Sequence, residues 1–159
     1  MMKIVRALLL VPVAAMLATV GLAASASAEE AGISDAVNRF ENAKSRWCID
    51  DSIPAGLRTF GCNTLKFQQF TVHVWNDKTR QLKNVATGRC LDDSDKFGLR
   101  PLGCWPGGNP NSKYQSWVVT KSGKYLRFQN QATKRCLTDI GGGKLVTRPC
   151  SGEDIQKWS

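Results

Sequence analysis

The six cysteines of this chain fall into three pairs with a single spacing. Cys48 and Cys62 stand 14 residues apart, as do Cys90 and Cys104, and Cys136 and Cys150. Each first cysteine opens a similar run: Cys48-Ile49-Asp50-Asp51-Ser52, Cys90-Leu91-Asp92-Asp93-Ser94 and Cys136-Leu137-Thr138-Asp139. Farther along each run come Leu57, Leu99 and Leu145. A Gln-x-aromatic triplet follows each second cysteine: Gln68-Gln69-Phe70, Gln115-Ser116-Trp117 and Gln156-Lys157-Trp158. Upstream, in register, stand Phe40, Leu82 and Phe128, each followed two residues later by Asn42, Asn84 or Asn130. Such a chain is three copies of one supersecondary unit, and a unit of this size buries its apolar face only against its neighbours.

The unit reads as strands. No stretch after the N-terminal segment keeps a helical period. Short alternating runs such as Phe70–Trp75 and Ser116–Thr120 are separated by glycine and Asp/Asn clusters instead. The fold class is therefore all-β. Three copies are too few for most propellers and solenoids, whereas a closed three-fold barrel removes exposed strand edges. The third copy starts four residues later than strict periodicity would place it. The extra length falls in Trp105–Tyr114, which holds two prolines and two glycines, a loop composition.

Three equivalent copies must each pair their own cysteines or pair them cyclically with a neighbour. The constant spacing favours Cys48–Cys62, Cys90–Cys104 and Cys136–Cys150. Each short loop so closed contributes about 3 kcal/mol in the chain-entropy treatment. A zinc site is not expected, since zinc uses closely spaced cysteine or histidine pairs and the chain has one histidine, His73.

The N-terminus has the pattern of an export signal. Lys3 and Arg6 precede an apolar run from Ala7 to Ala24, and Ala26-Ser27-Ala28 fits a small-residue cleavage site. The expected organisation is a signal peptide over 1–28, a linker over 29–35 and one domain over 36–159. Export delivers the cysteines to an oxidising compartment, so the protein is expected to be secreted and extracellular. Loss of Lys3 and Arg6 takes the formal net charge from +9 to +7. The basic residues are scattered among acids, which reads as a hydrated surface, with neither nucleic-acid binding nor membrane insertion expected.

At the cysteine runs and the triplets the sequence resembles the ricin-type β-trefoil lectins, the family of Gln-x-Trp repeats, over residues 36–159. The resemblance implies a β-trefoil with three pseudo-symmetric repeats: a six-stranded barrel capped by three hairpins, with one sugar site per repeat. It assigns Phe70, Trp117 and Trp158 to the core. It carries the acid that accepts sugar hydroxyls onto Asp50 and Asp92, with Thr138 in the third repeat. The neighbouring acids Asp51, Asp93 and Asp139 are alternatives, because successive strand residues face opposite ways and only one of each pair can serve a given pocket. The stacking aromatic falls on Phe60, with Leu102 and Arg148 at the matching positions. Repeat two has Trp105 or Tyr114 in its longer loop as a substitute ring, and repeat three is read as structural. The asparagine that often precedes the triplet glutamine is replaced by Phe67, Tyr114 and Ile155. Gln68 and Gln115 are read either as donors to sugar or as structural groups in the turn. Arg58 and Arg100 are read as solvated or as contacts to an acidic glycan.

The implied function is non-catalytic carbohydrate binding without a cofactor. Adjacent aspartates on a strand diverge, His73 has no motif around it, and Gly141-Gly142-Gly143 lacks the residues of a phosphate loop. The partner is a carbohydrate or glycan, galactose-like or part of a polysaccharide. The alternatives are a targeting subunit for a separate secreted enzyme or toxin chain, and a trefoil that inhibits a protein.

Overall fold

The computed structural model describes residues 36–159. The expected signal peptide over 1–28 and linker over 29–35 lie outside the described residues.

The domain is a β-trefoil. Its barrel is built from β1 (Val37–Asn38), β4 (Phe70–Val74), β5 (Arg80–Asn84), β8 (Trp117–Ser122), β9 (Tyr125–Asn130) and the terminal segment at Trp158. Strands β1, β4, β5, β8 and β9 pair in that order, all antiparallel. Single-residue bridges from Trp158 to Leu126 and to Asn42 close the ring. The register repeats three-fold: Asn38 faces Phe70, Arg80 faces Trp117, and Leu126 faces Trp158. Each triplet aromatic therefore enters the barrel beside the residue two before Phe40, Leu82 or Phe128.

Three hairpins cap the barrel: β2 (Trp47–Ser52) with β3 (Gly56–Gly61), β6 (Arg89–Ser94) with β7 (Gly98–Gly103), and β10 (Cys136–Asp139) with β11 (Leu145–Arg148). A disulfide staples each of them, Cys48–Cys62, Cys90–Cys104 and Cys136–Cys150, all within a repeat. The local pairing favoured by the spacing is the one present.

The core is the apolar set read from the repeat. Phe40, Leu82 and Phe128, the triplet aromatics Phe70, Trp117 and Trp158, and Ile49, Leu91 and Leu137 are all buried. Leu57 and Leu99 pack on this core only in part, while Leu145 is buried. Full burial of such side chains contributes about 1.5–3 kcal/mol each. The two core indoles keep their N–H groups satisfied: Trp117 Nε1 donates to the Leu91 carbonyl at 3.2 Å and Trp158 Nε1 to the Leu137 carbonyl at 3.3 Å.

The repeated asparagines join one repeat to the next. Asn42, Asn84 and Asn130 are fully buried. Each Nδ2 donates to the carbonyl just before a triplet glutamine in the preceding repeat: Ile155 at 3.0 Å, Phe67 at 2.8 Å and Tyr114 at 2.8 Å. Each Oδ1 accepts backbone N–H groups two and three residues ahead, fixing the turn that leads into the cysteine strand. Buried amides with both ends satisfied in this way specify geometry as well as stability.

Candidate functional site

Both members of each Asp-Asp pair are buried, and the strand alternation sends them in opposite directions. The second acid faces the next repeat. Asp51 accepts from Thr87 Oγ1 at 2.5 Å and from Arg89, through Nε at 3.1 Å and through Nη2. Asp93 does the same with Arg135 and Thr133, and also accepts from Thr147 Oγ1 at 2.8 Å. Asp139 closes the cycle by accepting from Ser45 Oγ at 2.5 Å, Thr59 Oγ1 at 3.2 Å and the Gly141 N–H at 2.8 Å. These three acids hold the repeats together, and Asp139 also lines a small surface pocket with Asn42, Lys44, Ser45 and Ile140.

The first acid faces outward along the cap hairpin. Asp50 stands directly opposite Arg58 in the β2–β3 register and accepts from its Nε at 3.0 Å. Asp92 stands opposite Arg100 in β6–β7 and accepts from its Nε at the same 3.0 Å. Both carboxylates lie beneath their arginines: the side chains are 5% and 2% exposed, against 33% for each arginine. Each guanidinium also lies over a phenyl ring, Arg58 at 4.3 Å from the centre of Phe60 and Arg100 at 4.2 Å from that of Phe97. Such contacts add about 0.5–1 kcal/mol at exposed sites.

Repeat two carries the fuller site. A pocket of about 390 Å³ is lined by Asp92, Ser94, Asp95, Lys96, Phe97, Arg100, Leu102, Trp105, Asn111 and Tyr114. It brings Asp92 together with both rings that the long loop was expected to lend. Phe97 escaped the sequence reading because it sits in the β6–β7 turn, where the repeat pattern assigns no ring. Repeat one joins Asp50, Arg58 and the exposed Phe60, with Trp47 6.5 Å from Phe60 between ring centres. In repeat three Thr138 is buried, donates to the Cys136 carbonyl at 2.8 Å and accepts from Gln156 at 3.0 Å.

The triplet glutamines are not at the surface. Gln68 and Gln115 are fully buried and clamp the loop around the second cysteine. Gln68 Oε1 accepts the Asn63 N–H at 2.7 Å and its Nε2 donates to the Gly61 carbonyl at 3.0 Å. Gln115 does so with Trp105 at 2.8 Å and Gly103 at 2.9 Å. Gln156 repeats the clamp with Ser151 and Pro149. Of the two readings open for these amides, the turn occupies them. What reaches the outer site is indirect: Gln68 Nε2 also donates to Asp50 Oδ2 at 3.3 Å and so orients that carboxylate.

A larger cavity, about 510 Å³, lies between the β4–β5 turn and the long loop, lined by residues that include His73, Trp75, Asp77 and Gln131. It contains none of the repeat acids. Glu41 lies beside the Cys48 and Cys62 sulfurs, but those atoms are bonded to each other and offer no thiolate to a metal.

The family model described as the ricin-type beta-trefoil lectin domain matches residues 36–158. No curated protein matches the chain. Among solved structures, the designed three-fold symmetric protein ThreeFoil is similar with 17% identity and a TM-score of 0.65, covering 77% of this chain and 95% of its own. SeviL, solved bound to asialo-GM1 saccharide, has 12% identity and a TM-score of 0.64, covering 77% of this chain and 93% of its own. A mosquitocidal holotoxin has 16% identity and a TM-score of 0.67, covering 80% of this chain but 17% of its own. At these identities the structural matches establish the fold alone. With the family match over nearly the whole described domain, the chain belongs to the ricin-type β-trefoil lectin family and is a carbohydrate-binding protein.

Proposed function

We propose that the protein is a secreted lectin without catalytic activity, which takes a galactose-like residue or a unit of a polysaccharide at the outer pockets of repeats one and two. The observation that carries this reading is the repeat-two pocket, where a carboxylate, an arginine and the rings of Phe97, Trp105 and Tyr114 line one concave surface. A sugar ring needs an apolar plate under its C–H face and polar groups at its rim, and that pocket supplies both. Three disulfides and the export pattern of residues 1–28 support secretion.

Single shallow sites of this kind bind weakly, and two on one rigid body gain by avidity on a polymer or a cell surface. A glycan array with the wild-type protein and with Asp50→Ala and Asp92→Ala tests the reading. Retention of a defined glycan set that the Asp92 variant loses supports it. Retention of no glycan, or retention unchanged in the double variant, overturns it.

A second reading is a targeting subunit for a separate secreted enzyme or toxin chain. It draws support from the holotoxin, in which a domain of this shape makes up a small part of a much longer chain. Co-purification of a second protein from culture medium would favour it.

A further inference from the structure

We propose that the ligand of repeats one and two is a carboxylate-bearing sugar, recognised through Arg58 and Arg100. This rests on the lectin reading above and goes further by naming the charge of the glycan.

Two repeats that differ in sequence arrive at one geometry. Arg58 gives its Nε to Asp50 and Arg100 gives its Nε to Asp92, both at 3.0 Å. Both guanidinium carbons stand over a phenyl ring, 4.3 Å and 4.2 Å from its centre. Yet the rings come from different places. Phe60 follows Arg58 by two residues on the same strand face, whereas Leu102 takes that position in repeat two, and Phe97 reaches Arg100 from the turn. An arginine held by a carboxylate on one edge and a ring on one face has lost most of its rotamer freedom before a ligand arrives. Its remaining Nη groups form a fixed fork, which matches the two oxygens of a carboxylate.

The same geometry weakens the case for a neutral sugar. Asp50 already accepts from Arg58 and Gln68, and the ring that would lie under the sugar carries a guanidinium. What faces solvent is the arginine, since the acids beneath are 5% and 2% exposed in their side chains. In repeat two Lys96 joins it, with its ammonium 5.0 Å from the centre of Phe97, while Asp95, the exposed acid on the same pocket, is paired with Arg135 Nη1 at 3.6 Å. The formal net charge, +7 once Lys3 and Arg6 are lost from the +9 of the full chain, adds a long-range attraction for an anion.

Uronic acids and sialic acids share the carboxylate, and the test separates them. Two pairs, oligogalacturonate with its methyl ester and sialyllactose with lactose, are titrated calorimetrically into the full chain as secreted. Oligogalacturonate or sialyllactose is expected to bind about tenfold more tightly than its own uncharged partner, as one charge-assisted fork allows. That preference should shrink as salt rises, because the sites are exposed to screening. In Arg58→Gln/Arg100→Gln, with a retained cooperative melt as the check on folding and some loss of melting temperature expected from the two acids left without their arginines, the preference is expected to vanish. Equal binding of acid and neutral sugar in both pairs by the wild type, or a preference that survives the double substitution, overturns the proposal and leaves the lectin reading intact. Binding of no sugar on these probes or on a glycan array overturns both.

Discussion

Asp93 and Arg135 join the second repeat to the third through two side-by-side hydrogen bonds, from Nε at 3.1 Å and from Nη2 at 2.8 Å. The carboxylate is wholly buried and also accepts from Thr133 and Thr147. Removing one partner of such a pair leaves an uncompensated charge inside, which costs about 3–5 kcal/mol. Arg135→Leu is therefore expected to lower the urea midpoint sharply.

The adjacent acid should behave differently, although the two aspartates are neighbours in sequence. Asp92 pairs with Arg100, whose side chain is 33% exposed and can be rehydrated when its partner is lost. Asp92→Ala is expected to cost less than Arg135→Leu, because the charge left behind is an arginine that reaches water rather than a buried carboxylate, while abolishing glycan retention through repeat two. Denaturant curves and array binding measured on Asp92→Ala and Arg135→Leu together check the separation. A variant at Asp92 that unfolds as readily as the one at Arg135 would place both acids in the same structural role.

The repeat pattern made the barrel legible, because each core position recurs three times. Phe70, Trp117 and Trp158 are buried where the triplets put them, and the cysteines pair as their spacing suggests. The contacts between repeats were less legible. Arg89 and Arg135 lie 38 and 42 residues from the acids they meet, and nothing local in the sequence marks them as partners. The glutamines were ambiguous for a related reason: an amide near a turn looks alike whether it faces a sugar or the Asn63 and Trp105 backbone. At the outer site, Asp92, Trp105 and Tyr114 were readable from the motif and the long loop, but Phe97 was not, since turn residues vary between repeats.

At the seam between the third repeat and the first, no arginine pairs with Asp139 among the described residues. Trp47 stands where Arg89 and Arg135 stand in the other repeats, immediately before the first cysteine. Asp139 there relies on Ser45, Thr59 and the Gly141 N–H. Trp47→Arg is expected to supply the missing fork and to stabilise the domain by about 1–2 kcal/mol, the range of a hydrogen bond to a charged group. The half-exposed indole loses its contact with Phe60, which offsets part of that gain. A melting temperature raised by several degrees in Trp47→Arg, and not in Trp47→Gln, would show that the charge is responsible.

Each disulfide links cysteines 14 residues apart. In the chain-entropy treatment that contributes about 3 kcal/mol per link, against a total stability of about 5–15 kcal/mol for a domain. Cys90→Ala/Cys104→Ala is expected to lower the melting temperature markedly while leaving a folded trefoil. Full reduction of all three links is expected to unfold the domain near body temperature. A melt unaffected by reducing agent would mean that the links add nothing to the barrel.

Asp77 ties the β4–β5 turn to the turn that follows β9. Its Oδ1 accepts from Thr79 Oγ1 at 2.7 Å and from the Thr79 N–H at 3.0 Å, and its Oδ2 accepts from Gln131 Nε2 at 2.7 Å. The Thr79 hydroxyl is the largest cause holding the carboxyl below its usual 3.8, and burial opposes it only in part. A depressed folded-state pKa stabilises the native state above the unfolded value, and that contribution is lost as pH falls through the folded value. Thr79→Ala removes the main cause and should bring the acid limb of the stability curve closer to neutrality. Above about pH 5 the wild type is expected to exceed Thr79→Ala by a constant margin, and below the folded-state pKa part of that margin should disappear. Urea midpoints measured from pH 2 to pH 7 check this, and two curves that stay parallel through the acid range would show that Asp77 contributes nothing through its charge.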